Sequence, residues 1–127
     1  MDAVIRSLTP RPRVSVVVPT YNEAKNLPHV FDLIGQVEGI HEVIVVDGRS
    51  TDGTIEVAQE LWPDVTIVRQ TRRGKGNALA CGFEAVTGDI IVMLDADGSA
   101  DPREIPAYVD ALVRGADFAK GTRFALG

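Results

Sequence analysis

The sequence predicts an α/β domain, an open and mostly parallel sheet with helices on both faces. Three observations lead there. Four short apolar runs rich in β-branched residues, 14–18, 43–46, 65–68 and 90–94, are continuous rather than alternating, as in strands covered on both faces. Stretches of helical period separate them, and strand and helix then alternate in the order of right-handed crossovers. The residues just past the runs are turn formers and carboxylates, at the carboxyl ends where such sheets bind ligands.

Taken in order, residues 1–13 carry Asp2, Arg6, Pro10, Arg11, Pro12 and Arg13 without any period. They are predicted to be a flexible lead-in to a domain spanning 14–127. After the first strand, Leu27, Val30, Phe31 and Ile34 fall three and four apart and predict an amphipathic helix. After the second, Asp52 is placed to cap a helix whose inner face carries Ile55, Ala58 and Leu61. After the third, Leu79, Phe83 and Val86 repeat the helical spacing. Beyond the fourth, Asp101, Pro102 and Glu104 announce a last helix carrying Ile105, Tyr108, Val109 and Leu112. Pro106, read as lying in its second turn, removes one amide donor there. A fifth strand is predicted around Phe118 to Lys120.

Composition narrows the function classes. The chain has 127 residues, 45% of them hydrophobic, with a formal charge of −5. That apolar content disfavours disorder, and the negative balance offers no field for a polyanion, so nucleic-acid binding is not expected. The longest apolar run, residues 90–94, is far short of the ~20 needed to cross a bilayer. No basic start followed by an apolar stretch marks a secretory signal, so cytoplasmic residence is predicted. The single cysteine, Cys81, makes no internal disulfide and reads as a packing residue of a helix.

The strand ends carry the chemistry. Asp52 and Asp101 have a ready explanation as caps, but Asp95 and Asp97 do less well on that reading. Residues i and i+2 of an extended segment point the same way, about 6 to 7 Å apart. Two ionised carboxylates at that separation repel by about 0.7 kcal/mol in water and about 3 kcal/mol at an effective dielectric of ~20. A hard divalent cation removes the cost, and magnesium favours one or two carboxylates while keeping other positions for water and phosphate oxygens. Arg69, Arg72, Arg73 and Lys75 concentrate positive charge in this acidic chain, with Gly74 and Gly76 interleaved just before a helix. Glycines allow close backbone approach and a helix start offers free amides, so phosphate recognition is expected, against a plain solvated loop as the alternative. Neither GxxxxGK[ST] nor GxGxxG is present.

Jointly the segments VSVVVPTYNE (14–23), VVDGRSTDGT (45–54), RRGKGNAL (72–79), VMLDAD (92–97) and GTRF (121–124) resemble family 2 glycosyltransferases of the A-type fold. Within that family they are most similar to enzymes that glycosylate polyprenyl or dolichyl phosphate. The resemblance implies a Rossmann-like nucleotide-diphospho-sugar transferase fold and a nucleoside diphosphate sugar as donor. It implies that Pro19, Tyr21 and Glu23 line the base and ribose pocket and that Asp47 accepts hydrogen bonds from the nucleotide. Arg73 and Lys75 would lie near the diphosphate, and Asp95 and Asp97 would hold Mg²⁺ or Mn²⁺, with Asp97 the direct ligand. Arg123 would approach the phosphate side of the reacting centre. Asp97, Lys75 and Arg123 are thus the catalytic candidates.

Two departures from the family pattern stand out. A second acid often follows the one at Asp47, where this chain has Gly48, Arg49 and Ser50, so base identity stays open and Arg49 either contacts the donor or faces solvent. Family members usually continue past the GTRF element into an acceptor-side half, so the chain reads as a truncated, donor-binding part. The implied reaction is metal-assisted, inverting transfer of the sugar, with a polyprenyl phosphate as the implied acceptor and a peripheral position at the membrane. A binding module without turnover is the alternative, and an uncovered sheet edge would favour self-association. A haloacid-dehalogenase-like phosphatase is suggested by residues 95–99 (DADGS), but that motif normally follows the first strand. A nucleotidyltransferase would carry a Gly-rich loop where this chain has PTYNE. Neither histidine suits a general base, His29 being assigned to the first helix and His41 to a loop.

Overall fold

The structure, a computed structural model, describes residues 1–7, 12–115, 118–120 and 123–124. In chain order they form β1 (Asp2–Ile5), β2 (Val14–Thr20), α1 (Leu27–Gly35), β3 (Ile40–Asp47), α2 (Thr54–Leu61) and β4 (Thr66–Arg69). Then follow α3 (Lys75–Ala85), β5 (Ile90–Met93), a 3₁₀ turn (Pro102–Glu104), α4 (Ile105–Val113), β6 (Phe118–Lys120) and β7 (Arg123–Phe124). All strands join one sheet in the order β4-β3-β2-β5-β1-β6-β7.

The predicted parallel core is present: β2 pairs in parallel with β3 and β5, and β3 with β4. The first two crossovers step outward from β2, and the third returns to its other side. Strand order therefore reverses between β2 and β5, and a crevice opens beyond their carboxyl ends. Alternate residues of each strand serve opposite faces. Val16, Val18, Val43, Val45 and Val92 pack with Leu27, Ile34, Ala58, Ile105 and Leu112 of α1, α2 and α4. Val17, Ile44, Val46 and Ile91 face α3, meeting Ala78.

Several expectations change. Residues 2–5, predicted to belong to a lead-in, form β1, antiparallel to both β5 and β6. Ala3 is wholly buried there, so this strand extends the core on the far side of β5. With β1, β6 and β7 joined antiparallel, one half of the sheet is mixed rather than parallel.

α3 also turns a different face inward. Ala78 and Gly82 are its buried residues, whereas Phe83 is 42% exposed. Small side chains let this helix lie close to the sheet: a methyl group on Gly82 would stand 2.6 Å from Val17 Cγ1 and 3.3 Å from Val46 Cγ2. In α2 the buried positions are Thr54 and Ala58, with Val57 packed alongside and Leu61 exposed. Pro106 falls in the first turn of α4, where its missing N–H is no loss. His41 lies in β3 rather than in a loop.

At the amino ends of the strands a polar network closes the sheet. Buried Ser15 donates to Glu42 Oε2 (2.5 Å) and accepts from the Gly88 amide (2.9 Å). Glu42 Oε2 also accepts from the Thr87 amide (2.6 Å) and hydroxyl (2.9 Å). Nearby, Asp89 Oδ2 accepts from the Arg13 amide at 2.9 Å, and its carbonyl receives the Arg6 amide at 2.5 Å.

Candidate functional site

At the opposite end of the sheet an open cleft of about 750 Å³ lies beyond the carboxyl ends of β2, β3 and β4. One wall comes from Pro19, Thr20, Tyr21 and Glu23, the floor from Gly48 and Arg49, and the far wall from Gln70, Arg72, Arg73, Gly74, Lys75 and Ala78. The loops after β2 and β3 are laced together. Gly48 N–H donates to the Thr20 carbonyl (2.9 Å), Asn22 N–H to Ser50 Oγ (2.8 Å), and Thr51 N–H to Asn22 Oδ1 (2.8 Å). Glu23 N–H donates to Thr54 Oγ1 (3.0 Å) and Ala24 N–H to Asp52 Oδ2 (3.1 Å). Asp52 also accepts from the Thr54 amide at 3.1 Å and from its hydroxyl, which fixes the start of α2. Those hydrogen bonds hold the Asp52 carboxyl below its ordinary range, the Thr54 hydroxyl contributing most.

Asp47 is not among the residues that line the cleft. Expected to accept hydrogen bonds from a nucleotide, it is 0% exposed, and its oxygens accept from Thr20 Oγ1 (2.8 Å), Ser50 Oγ (2.6 Å) and Ser50 N–H (2.9 Å). These bonds make it a clamp beneath the cleft floor. Arg49 adopts a left-handed backbone (φ 68°), is exposed and lines the cleft.

The other expected residues come together. Pro19, Tyr21, Glu23, Arg73 and Lys75 all line the cleft, and Tyr21 is 65% exposed there. Glu23 accepts from Asn26 Nδ2 at 2.8 Å, which orients its carboxylate at the start of α1. Lys75 Nζ lies 3.8 Å from Asp95 Oδ1, so the helix start of α3 and the tip of β5 meet across the crevice. Asp95 and Asp97 are exposed with buried Ala96 between them. The extended pleat expected from the sequence does not run through them: β5 ends at Met93, and residues 96–97 lie in a turn. Asp97 Oδ1 accepts from the Ser99 amide at 2.9 Å. The Ser99 hydroxyl and amide, with the charge of Lys75, hold the Asp97 carboxyl below its ordinary range, so it stands ionised near neutral pH. Arg123 enters β7 opposite Lys120, and its side chain lies outside the described residues.

Could these acids accept a metal? No group of three or more His, Cys, Asp or Glu side chains suited to a metal occurs among the described residues. Two exposed carboxylates with hard oxygens and no third protein ligand match a cation that draws its remaining ligands from phosphate and water. Mg²⁺ or Mn²⁺ fits this donor set; a closed structural zinc site does not.

Sequence comparison decides the family: the profile described as glycosyl transferase family 2 matches residues 15–126. The chain belongs to that family. Among curated relatives of this family 2 chain, dolichol-phosphate mannosyltransferase of Pyrococcus furiosus is 40% identical over 91% of the chain and 34% of its own length. Polyprenol monophosphomannose synthase of Mycolicibacterium smegmatis is 36% identical over 95% of the chain and 49% of its own length. The family 2 chain thus spans between about a third and a half of these relatives. Among solved structures, the mannosyltransferase PcManGT of Pyrobaculum calidifontis, in complex with GDP-Man and Mn²⁺, superposes with a TM-score of 0.71 at 39% identity, over 89% of this chain and 36% of that one. Glucosyl-3-phosphoglycerate synthase of Mycobacterium tuberculosis, in complex with Mn²⁺, UDP and glucosyl-3-phosphoglycerate, gives a TM-score of 0.72 at 34% identity, over 82% of this chain and 40% of that one. These neighbours carry the A-type glycosyltransferase fold, in agreement with the predicted class.

One cleft residue escaped the sequence reading. Gln70 follows β4 directly and lines the wall. Its amide N–H donates to the Asp47 carbonyl at 2.8 Å and its side-chain Nε2 to the Gly74 carbonyl at 2.6 Å. The available signal was positional, since it is the residue next after a parallel strand.

Proposed function

We propose that this chain is the donor-binding part of a metal-dependent glycosyltransferase that moves a sugar from a nucleoside diphosphate sugar, with inversion, onto a polyprenyl phosphate. The observation that carries the reading is the meeting of Lys75 with Asp95 at the crevice, where anion-seeking and metal-seeking groups face one another.

Pro19, Tyr21 and Glu23 receive base and ribose: the exposed Tyr21 ring offers a stacking face and the Glu23 carboxylate accepts sugar hydroxyls. Arg73 and Lys75 supply fixed positive charge to the diphosphate. Asp95 and Asp97 hold Mg²⁺ or Mn²⁺, Asp97 directly. The bound ion supplies Lewis-acid stabilisation of charge on the departing diphosphate. Arg123 serves the phosphate side of the reacting centre. A lipid phosphate acceptor is already ionised near neutral pH and asks for no strong general base. Such an acceptor calls for a position peripheral to the lipid, which we place on the cytoplasmic side; among the described residues no helix is long and apolar enough to cross a membrane. Self-association through the sheet edge belongs to the same proposal.

The test is an assay with labelled GDP- and UDP-sugars, Mn²⁺ and a short-chain polyprenyl phosphate. Transfer to the lipid supports the reading. Donor that binds but remains intact identifies a binding module, and failure to bind either donor with Mn²⁺ contradicts the proposal.

A further inference from the structure

The loop between β4 and α3 gathers Arg72, Arg73 and Lys75 on one wall of the cleft. Like charges so close repel, and among the described residues no acidic side chain lies within ion-pair distance of Arg72 or Arg73. Left to itself such a loop would spread into solvent, and ordering it would be charged against ligand affinity. Its shape is instead tied from both sides by neutral side-chain amides. On the β4 side, Gln70 Nε2 donates to the Gly74 carbonyl at 2.6 Å, closing the loop on itself. The same carbonyl accepts the first-turn amide of Ala78 at 3.2 Å, so Gln70 is coupled to the start of α3. Gln70 is itself anchored by its backbone to the carbonyl of the buried clamp Asp47. On the helix side, Asn77 Oδ1 accepts the Arg72 amide at 2.9 Å, and Asn77 Nδ2 donates to Thr71 Oγ1 at 3.0 Å. The Cys81 thiol donates to Asn77 Oδ1 at 3.6 Å, one turn further along.

We infer that Gln70 and Asn77 are positioning residues, which hold the 71–75 loop so that its cations and glycine backbone present a preformed seat to a diphosphate. Neither side chain carries charge, and their work is to fix where charge sits. This rests on the donor-site reading above and adds to it which residues make the phosphate wall rigid. Gly74, at φ 102°, ψ 153°, occupies a backbone region closed to other residues, and Gln70 holds that conformation through the Gly74 carbonyl.

The test uses Gln70→Met and Asn77→Ala in the whole chain, with two readouts. In the first, binding of guanosine, uridine, GDP and UDP is measured in the presence of Mn²⁺. Loss of one or two tying hydrogen bonds is expected to weaken the diphosphates about 3- to 10-fold and the nucleosides less than about 2-fold, with the melting temperature nearly unchanged. Equal weakening of nucleoside and diphosphate, or none of either, overturns the inference. In the second, limited trypsin digestion without ligand compares cleavage after Arg72 and Arg73 with cleavage after Arg114. A released loop is expected to be cut about 3- to 10-fold faster in either variant, because cleavage tracks local opening. Unchanged loop cleavage also overturns the inference. If the parent chain binds neither diphosphate, the donor-site reading fails, while the digestion still reports on the ties.

Discussion

The two ends of the sheet use similar residues to opposite ends. At the amino ends of the strands, Glu42 Oε2 and Asp89 Oδ2 accept hydrogen bonds from Ser15, Thr87 and Arg13, and the chain closes on itself. At the carboxyl ends, Asp47 and Asp52 are spent in the same way on building a wall, but Arg73 and Lys75 stay exposed on the cleft wall, and exposed Asp95, beside exposed Asp97, faces Lys75 at 3.8 Å. The lesson is that a carboxylate's neighbours decide its role. Where amides and hydroxyls converge on it, the acid holds the fold; Asp95 instead stands exposed opposite the Lys75 ammonium.

The contrast breaks most sharply at Gly88. A methyl group there would overlap Ser15 Oγ and lie 2.8 Å from the Arg13 carbonyl, all of it in the closed network. Gly88→Ala is expected to lower stability by about 2 to 3 kcal/mol while leaving nucleotide affinity of the folded fraction unchanged, as chemical denaturation beside a binding titration would show. Loss of binding at full folding would mean that the two ends are not separate in role.

The reverse experiment is Arg73→Ala with Lys75→Ala. Removing both cations is expected to weaken nucleoside diphosphate binding about 10-fold or more and to leave the thermal midpoint within a degree or two, because exposed charges contribute little to stability. A large fall in the midpoint would place these residues with the structural set.

A smaller effect sharpens the comparison through pH. Burial alone would raise the Glu42 carboxyl, but the hydrogen bonds from the Ser15 hydroxyl and the Thr87 amide and hydroxyl outweigh it, and the folded value lies below the ordinary glutamate range. A carboxyl depressed by folding adds stability that is complete above its unfolded value and is lost as pH falls through the folded one. The thermal midpoint is therefore expected to hold from neutral pH down to about 5 and to decline below about 4, with a shallower decline in Glu42→Gln. Equal slopes would show that Glu42 is not a source of the acid sensitivity.

Much of this was legible in the sequence, for physical reasons that differ by element. Strands 14–18, 43–46 and 90–94 announced themselves because both faces are covered and every residue but Ser15 is apolar. The strand Asp2–Ile5 did not, being four residues long and preceding a Pro- and Arg-containing stretch; only its pairing with Ile90–Met93 makes it a strand. Helical spacing located α3, but apolar size misjudged its inner face, since a helix pressed against a sheet selects Ala78 and Gly82 where Phe83 would not fit. In the site, the motif residues Pro19, Tyr21, Glu23, Arg73 and Lys75 line one cleft. The burial of Asp47 and the side-chain bond of Gln70 across four residues were not legible, because they are properties of the folded chain.

The central claim concerns Asp95 and Asp97, and calorimetry tests it most directly. GDP and UDP are titrated into the chain with Mn²⁺ and with chelator, first in the parent and then in Asp97→Ala. The account predicts that metal tightens binding of at least one nucleotide about 10-fold or more in the parent and has no effect in the variant. Affinity that ignores metal in the parent, or a metal effect that survives the substitution, would contradict it.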